Sequence, residues 1–357
     1  MSDALRLCLI DMNNGHANQA TRCFTMLVES FFERVHAKNP GLACEFRHVE
    51  PRNKGELPPA DFDLFLSSGG PGGPFDHDGE AWLTEFEGWL DGLVEGHHVR
   101  GDAAPSLLGV CYSFELLVTH FHVAKMQLRD TRKFGVMPVY MTPEGEAHTL
   151  TRAFADRLFA FEHRNWEAVD LDARTLHGLG GELLGRESRD GTSKGHALLA
   201  FEFAPGIEGT QFHPEADKSG VVAWLSKREQ AEAFIAAYGP VTYERMIKTL
   251  DNPARLAKTF TLLIPGWLTR KFNGMAAHRG WVPLPDPVID LELFAGDAPP
   301  ASSVAHPSLI PPPVAVAAPA IPRDRAPICF DESSGKIDES FLRPIGGELD
   351  PAALEGV

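Results

Sequence analysis

The 357-residue chain contains only five cysteines, and their spacing forms no recognisable framework. Their number is odd and no C-x-x-C pair occurs, so the sequence predicts neither a disulfide scaffold nor a cysteine zinc site. Scattered free thiols suit a reducing compartment, and we therefore expect a cytoplasmic protein. The five positions are Cys8, Cys23, Cys44, Cys111 and Cys329.

Positive charge and long apolar runs are also scarce. Lysine and arginine number 33 against 49 aspartates and glutamates, which gives a net charge of -16. Nucleic acids and anionic membranes bind basic faces, so we expect neither as the main partner. No apolar run approaches the length of about 18 residues that spans a bilayer. The N-terminus lacks a cationic segment followed by an apolar core, so we expect no signal peptide.

Cofactor motifs are missing as well. The sequence contains no P-loop and no Rossmann fingerprint, so a nucleotide site is not expected. The histidine pairs at 97–98 and 120–122 have no third ligand type clustered with them in the sequence. We therefore predict neither a cofactor nor a metal centre.

Apolar periodicity in the first half of the chain indicates an α/β fold. Residues 5–10 form an apolar run typical of a buried strand, and apolar residues between 23 and 35 recur at helical spacing. Further strand patterns follow at 43–49 and 62–66. Strand, helix and strand joined in this way predict a parallel sheet with right-handed crossovers. Residues 123–203 are rich in further strand patterns.

One cysteine lies in a segment with the pattern of a catalytic turn. Residues 107–117 read LLGVCYSFELL, in which Gly109 and Ser113 flank Cys111 at two positions on either side. An apolar run, small flanking residues and a following helical pattern are typical of a nucleophile elbow. The N-terminus of such a helix favours a thiolate. The alternative is a buried structural cysteine, the commonest role of a free cysteine.

Two other segments carry groups that would complement a nucleophilic cysteine. Residues 209–215 read GTQFHPE, and an extended backbone would place His213 and Glu215 on one face. A carboxylate beside a histidine can orient the ring and stabilise its charged form. Residues 67–74 read SSGGPGGP and follow a predicted strand, where a glycine-rich turn can direct N–H groups at an anion. An ordinary loop histidine and an ordinary turn are the alternatives.

Taken in this order, the three segments resemble the class I glutamine amidotransferases, in particular the glutaminase domain of GMP synthases. That family carries a Gly-Gly-Pro loop, a G-x-C-x-G-x-Q elbow and a His-Pro-Glu segment. The resemblance covers about residues 5–235. It implies a flavodoxin-like fold with an open, mostly parallel sheet flanked by helices.

The resemblance also implies roles for individual residues. Cys111 would be the nucleophile, His213 the base and Glu215 the group that orients it. The backbone N–H groups of Gly70 and Tyr112 would hold the oxyanion. These assignments come from matching motif positions.

The sequence departs from the family pattern at two positions. Ser113 stands where the family has glycine, and Glu115 stands where it usually has glutamine, the residue that contacts the substrate amino acid. A carboxylate cannot donate a hydrogen bond unless it is protonated. It would repel a substrate carboxylate but could attract an ammonium group. The related γ-glutamyl hydrolases have a similar elbow with glutamate at this place, so the identity of the substrate stays open.

Further substrate-binding candidates follow from the same comparison. They are Gly72 in the glycine-rich turn and His163 and Arg164 in the segment FEHRNW. Arginine is well suited to clamp a substrate carboxylate, which is the role expected of Arg164. A structural turn packed under Trp166 is the alternative for this segment.

The implied activity is hydrolysis of the glutamine side-chain amide through a cysteinyl thioester. Without a nucleotide-binding motif, the ammonia would pass to a separate acceptor synthase. Two alternatives remain. One is a γ-glutamyl hydrolase or transferase acting on another γ-glutamyl or amide substrate, and the other is a non-catalytic regulatory subunit of the same fold.

The resemblance and the composition together imply that the chain has three parts. Residues 1–240 correspond to the amidotransferase-like domain, and 241–282 to a helical extension. Residues 283–357 hold 14 of the 28 prolines, which disfavours regular helices and central strands. We expect an extended tail there, either disordered or wrapped over the body or a partner.

Overall fold

A nine-stranded sheet forms the centre of the computed structural model, which describes residues 4–16, 18–189, 196–250 and 252–295. The strand order is β2-β1-β3-β4-β9-β8-β6-β5-β7. In chain order the strands are β1 Ala4–Ile10, β2 Ala43–Val49, β3 Leu64–Ser67, β4 Ser106–Val110, β5 Lys125–Met141, β6 Arg157–Val169, β7 Glu182–Arg186, β8 Leu198–Ala204 and β9 Ile207–Thr210.

Helices connect and cover these strands. The longer ones bury apolar stripes against the sheet, which is the arrangement that the periodicity predicts. Their bounds are α1 Gln19–Lys38, α2 Pro51–Lys54, α3 Ala81–Arg100, α4 Tyr112–Phe121, α5 Pro143–Ala147, α6 Ala173–Gly178, α7 Lys218–Leu225, α8 Arg228–Tyr238, α9 Pro240–Thr249, α10 Leu256–Arg279 and α11 Leu291–Ala295. Two 3₁₀ turns lie at Gly101–Ala103 and Arg152–Phe154.

The α/β character expected from the first half of the chain is confirmed. Strands β2, β1, β3, β4 and β9 lie parallel to one another, and α1 and α3 make crossovers between them. Helix α1 contains the predicted apolar stripe and begins at Gln19, before the stripe, because the side chain of Asn18 accepts a hydrogen bond from the Thr21 N–H at 3.1 Å.

The expectation of an open, mostly parallel sheet is wrong for the other half. Strands β5, β6, β7 and β8 pair antiparallel, and β7 bonds to both β5 and β8, which closes these four strands into a small barrel. The physical reason is the connections, since antiparallel strands need no crossover helix and can follow one another through short turns. Strands β5 and β6 lose register between Leu128 and Lys133, where β5 bulges.

The C-terminal described residues pack on the same core as the sheet. Helix α10 buries Trp267 and Phe272, and the chain beyond it buries Leu284 and Phe294. The part of the proline-rich segment after residue 295 lies outside the described residues. The domain boundaries at 240 and 282 stay a prediction. Among the helices of the described chain, none combines the length and apolar content needed to cross a bilayer.

Candidate active site

Cys111 occupies a strained turn between a buried strand and a helix. Its φ is 53° and its ψ is -106°, between the end of β4 and the start of α4. A non-glycine residue in such a conformation costs on the order of 1–3 kcal/mol, so the surrounding structure has to impose it. The Cys111 N–H donates to the Thr210 carbonyl at 2.8 Å, and the Cys111 carbonyl accepts from the Glu115 N–H at 2.9 Å.

The serine that replaces the family glycine fastens this turn to the glycine-rich loop. The Ser113 hydroxyl donates to the Ser68 carbonyl at 2.7 Å and lies 2.7 Å from the Ser67 hydroxyl. All three residues are buried. The departure from the motif therefore adds two hydrogen bonds between α4 and the loop, which glycine could not make.

His213 and Glu215 meet at the same end of the sheet. His213 Nδ1 lies 2.8 Å from Glu215 Oε1, and the carboxylate is buried. The His213 N–H donates to the Phe161 carbonyl at 2.8 Å, which joins this segment to β6 by an isolated bridge. The backbone of β6 thus positions the main chain of His213, and Glu215 orients its ring.

The ring of His213 is held in its charged form. Burial alone would lower the pKa of His213, but the Glu215 carboxylate and the Cys111 sulfur, with which the ring hydrogen-bonds, raise the pKa well above 6.5. The ring therefore holds a proton at neutral pH beside the sulfur.

The glycine-rich loop crosses directly over this pair. A Cβ on Gly69 would lie 3.1 Å from His213 Cε1 and 3.2 Å from Cys111 Cβ, and one on Gly70 would lie 2.1 Å from the Met12 carbonyl oxygen. Position 70 therefore requires glycine for close approach, whereas a methyl at position 69 would displace His213 or Cys111 by a few tenths of an ångström. Tyr112 begins α4, and the first N–H groups of a helix have no partner within it.

Arg52, which sequence reasoning missed, holds the glycine-rich loop through hydrogen bonds. Arg52 Nη1 donates to the carbonyls of Met12 at 2.7 Å and Pro71 at 2.8 Å. Its guanidinium carbon lies 4.2 Å from the centre of the Tyr112 ring. Arg52 thus contacts both segments that carry the expected oxyanion donors. It lies on the four-residue helix α2, where no motif or periodicity marks it.

Glu115 is buried and lies in the cavity wall one helical turn after Cys111. Its Oε1 accepts a hydrogen bond from Gln211 Nε2 at 3.0 Å. Burial raises the pKa of Glu115 from 4.5 to about 7, against the opposing effects of Gln211, Arg164 and His213. The carboxyl group is therefore partly protonated near neutral pH, and in that form it can donate a hydrogen bond.

The other expected substrate-binding residues also border the cavity, but they differ in burial, pairing and charge. The Arg164 side chain is fully buried, and its Nε donates to Glu162 at 2.7 Å. The His163 carbonyl lies 3.9 Å from the Cys111 sulfur, and burial lowers the pKa of its ring to about 3, so the ring is neutral. Gly72 is exposed at the rim with a φ of 100°.

These groups share one cavity of about 580 Å³. A volume of this size is typical of sites for small organic ligands. The triad candidates, the glycine-rich loop and Glu115 all line it. Its walls also contain residues that sequence reasoning did not select as binding residues, namely Arg132, Trp166, Trp224 and Lys227.

Comparisons with known proteins give structural neighbours only. No protein-family model and no curated protein matches the sequence. A glutamine amidotransferase structure from Thermotoga maritima aligns with 77% of this chain and 98% of its own, at 16% identity and a TM-score of 0.45. One from Methylobacillus flagellatus aligns with 78% and 96%, at 15% identity and a TM-score of 0.48.

A third neighbour is the Trypanosoma brucei CTPS glutaminase domain with bound acivicin. It aligns with 59% of this chain and 86% of its own, at 14% identity and a TM-score of 0.41. These structures agree with the resemblance to glutamine amidotransferases that the motifs indicate. At such identities and TM-scores they carry no argument about activity, which has to come from the side chains themselves.

Proposed function

We propose that the protein is a cysteine-dependent amidohydrolase of the glutaminase type, with Cys111, His213 and Glu215 as its catalytic residues. The observation that carries the proposal is the geometry of one cavity, in which Glu215 holds the His213 ring beside the sulfur of a strained Cys111. A nucleophile, a base and a group that orients the base form the minimal set for acyl transfer.

In the first half of the reaction, the Cys111 thiolate attacks the carbon of the side-chain amide. The N–H groups of Gly70 and Tyr112 hold the oxyanion of the tetrahedral intermediate. The C–N bond then breaks, and ammonia leaves with the proton from His213. Loss of one oxyanion donor costs about 10²- to 10³-fold in rate in comparable sites.

In the second half, His213 takes a proton from water, and the resulting hydroxide attacks the thioester. The C–S bond breaks, glutamate is released, and the proton on His213 restores the starting pair with Cys111. The ammonia would serve a separate acceptor synthase, since the sequence contains no nucleotide motif for activating an acceptor.

The test is release of glutamate from glutamine by the purified protein under reducing conditions. The Cys111→Ala variant should lose the activity, and Cys44→Ala should keep it because Cys44 lies on the edge strand β2. An electrophilic glutamine analogue should label wild type and Cys44→Ala at one cysteine and leave Cys111→Ala unlabelled. Hydrolysis that persists in Cys111→Ala would refute the proposal.

A γ-glutamyl hydrolase or transferase is the second candidate, and Glu115 is the observation that favours it. A partly protonated carboxyl in the cavity wall offers a substrate different contacts from those of the family glutamine. A panel of γ-glutamyl amides and peptides compared with glutamine by kcat/KM separates the two candidates. A clear preference for free glutamine would eliminate the second one, and Glu115→Gln should then raise glutamine turnover.

A further inference from the structure

Arg132 is a half-buried cation in the cavity wall, and no anion of the described residues lies beside it. It lies in the bulge of β5 between Leu128 and Lys133. Bulges near active sites redirect side chains, and this one brings Arg132 into the wall of the cavity that contains Cys111. Within the described residues its guanidinium has no ion-pair partner. The guanidinium carbon lies 5.5 Å from the centre of the Phe134 ring, in a cation–π contact.

Three neighbouring cations on β5 and β6 are paired with carboxylates. Lys133 lies 2.6 Å from Glu187, and Arg129 contacts both Glu187 and Glu167. Arg164 is paired with Glu162 at 2.7 Å. The arginine expected from the sequence to clamp a carboxylate therefore already binds one inside the protein, whereas Arg132 does not.

Burial without a counterion is costly for a cation. Burial lowers the pKa of Arg132, and no carboxylate in the described part of the chain opposes that effect. Charged groups inside proteins are normally paired, so a half-buried guanidinium in a cavity wall points to an anion that arrives with the ligand.

The surroundings of Arg132 suit a polar ligand group. The nearby His163 ring is neutral, its Nε2 is buried without a hydrogen-bond partner, and it packs edge-on against Trp224 at 5.0 Å. Lys227 lines the same cavity. A cation, an unpartnered ring nitrogen and an aromatic face thus line one cavity beyond the triad.

We propose that Arg132 binds a carboxylate of the substrate and so selects anionic γ-glutamyl compounds. This inference rests on the proposed function and names the substrate class of the same site. A planar guanidinium can hold a carboxylate through two parallel hydrogen bonds. Two carboxylates of such a substrate could fill this role, the α-carboxylate of the glutamyl part and a carboxylate on the leaving amine.

Paired substrates distinguish these two sources. The α-carboxylate is removed by comparing L-glutamine with its α-carboxamide, and the leaving-group carboxylate by comparing γ-glutamylglycine with γ-glutamylmethylamide. We expect Arg132→Ala to raise KM about 10- to 100-fold for the substrates that carry the recognised carboxylate, with the change in KM rather than kcat. The difference from wild type should vanish for the partner compound that lacks it.

Two further variants sharpen the test. Arg132→Lys keeps the charge but loses the planar pair of donors, so its KM should fall between those of wild type and Arg132→Ala. Arg228→Ala removes an exposed arginine of α8 and should leave every KM unchanged. An equal KM in wild type and Arg132→Ala for all four substrates would overturn the proposal.

Binding measurements separate failure of this inference from failure of the proposed function. Calorimetry with L-glutamate and γ-glutamylglycine on Cys111→Ala needs no turnover. Binding that weakens at least tenfold in Cys111→Ala/Arg132→Ala supports the subsite even if wild type hydrolyses nothing. Equal binding by the two proteins, or no binding of either ligand to Cys111→Ala, refutes it.

Discussion

The buried carboxyl of Glu115 makes the stability of the folded protein depend on pH in a way that one substitution should remove. In the folded state the pKa of Glu115 is about 7, against 4.5 for the ordinary residue. The folded state therefore retains a proton that the unfolded chain has lost, and the free energy of unfolding falls as the pH rises through this interval. The stabilisation that comes from this retained proton is complete below pH 4.5 and lost above pH 7.

The size of the effect follows from the two pKa values. Each pKa unit corresponds to about 1.4 kcal/mol, so the interval from 4.5 to about 7 amounts to about 3 kcal/mol of unfolding free energy. Glutamine at this position carries no charge at any pH, and its carbonyl can still accept from Gln211. Glu115→Gln should therefore gain about 3 kcal/mol relative to wild type between pH 4.5 and pH 8.

Urea unfolding at pH 5 and pH 8, under reducing conditions, measures this difference. With an m-value of about 3 kcal/mol/M, the midpoint of Glu115→Gln should move by about 1 M relative to wild type between the two pH values. Glu85→Gln is the matched control, because Glu85 is exposed on α3. A difference between Glu115→Gln and wild type that is the same at both pH values would refute the reasoning.

Three other predictions concern the loop and the sheet. Arg52→Ala should lower kcat by about 10- to 100-fold, because the loop that carries an expected oxyanion donor loses its hydrogen bonds to the guanidinium. Alkylation of Cys111 by iodoacetamide forms no oxyanion, so its rate should be the same in this variant as in wild type. Equal losses in both reactions would contradict a positioning role. Gly69→Ala should reduce turnover, since the added methyl contacts the catalytic candidates His213 and Cys111. It should leave the free energy of unfolding in urea within about 0.5 kcal/mol of wild type, because shifts of a few tenths of an ångström accommodate the methyl. Glu208→Gln should destabilise the protein by about 3 kcal/mol or more in urea, because the buried carboxylate binds Trp267 and two cations of α10. Because those partners lower the pKa of Glu208 to about 2, its contribution should be present above pH 4.5 and be lost as the pH falls toward 2. Unchanged stability of Glu208→Gln at pH 7 would contradict this account.

The sequence was informative where contacts are local. The alternation of strand and helix and the helical stripe of α1 follow from spacing of a few residues, so the parallel half could be predicted. The antiparallel half could not, because barrel closure depends on β7 pairing with both β5 and β8. No short-range pattern contains that information.

The same limit applies to the candidate site. Motif position marked Arg164, but the pairing of its guanidinium is set by Glu162 on the same strand and by Glu187, just after β7, at 3.4 Å. Arg132 is distinguished from its neighbours only by the bulge in β5, which depends on register with β6. Arg52 supports the loop from a helix of four residues, and its partners are backbone carbonyls far along the chain. Such contacts leave no trace in residue spacing.

Closure of strands β5, β6, β7 and β8 into a barrel also has a consequence for self-association. Since β7 is bonded on both sides, β2 is the one free edge of the nine-stranded sheet in the described chain. An open edge is where a foreign strand could add and start aggregation. Strand β2 carries Glu45, Arg47 and His48 as exposed side chains, and charge on an edge strand opposes such growth. A partner that extends this sheet by strand addition therefore has a single charged border to recognise.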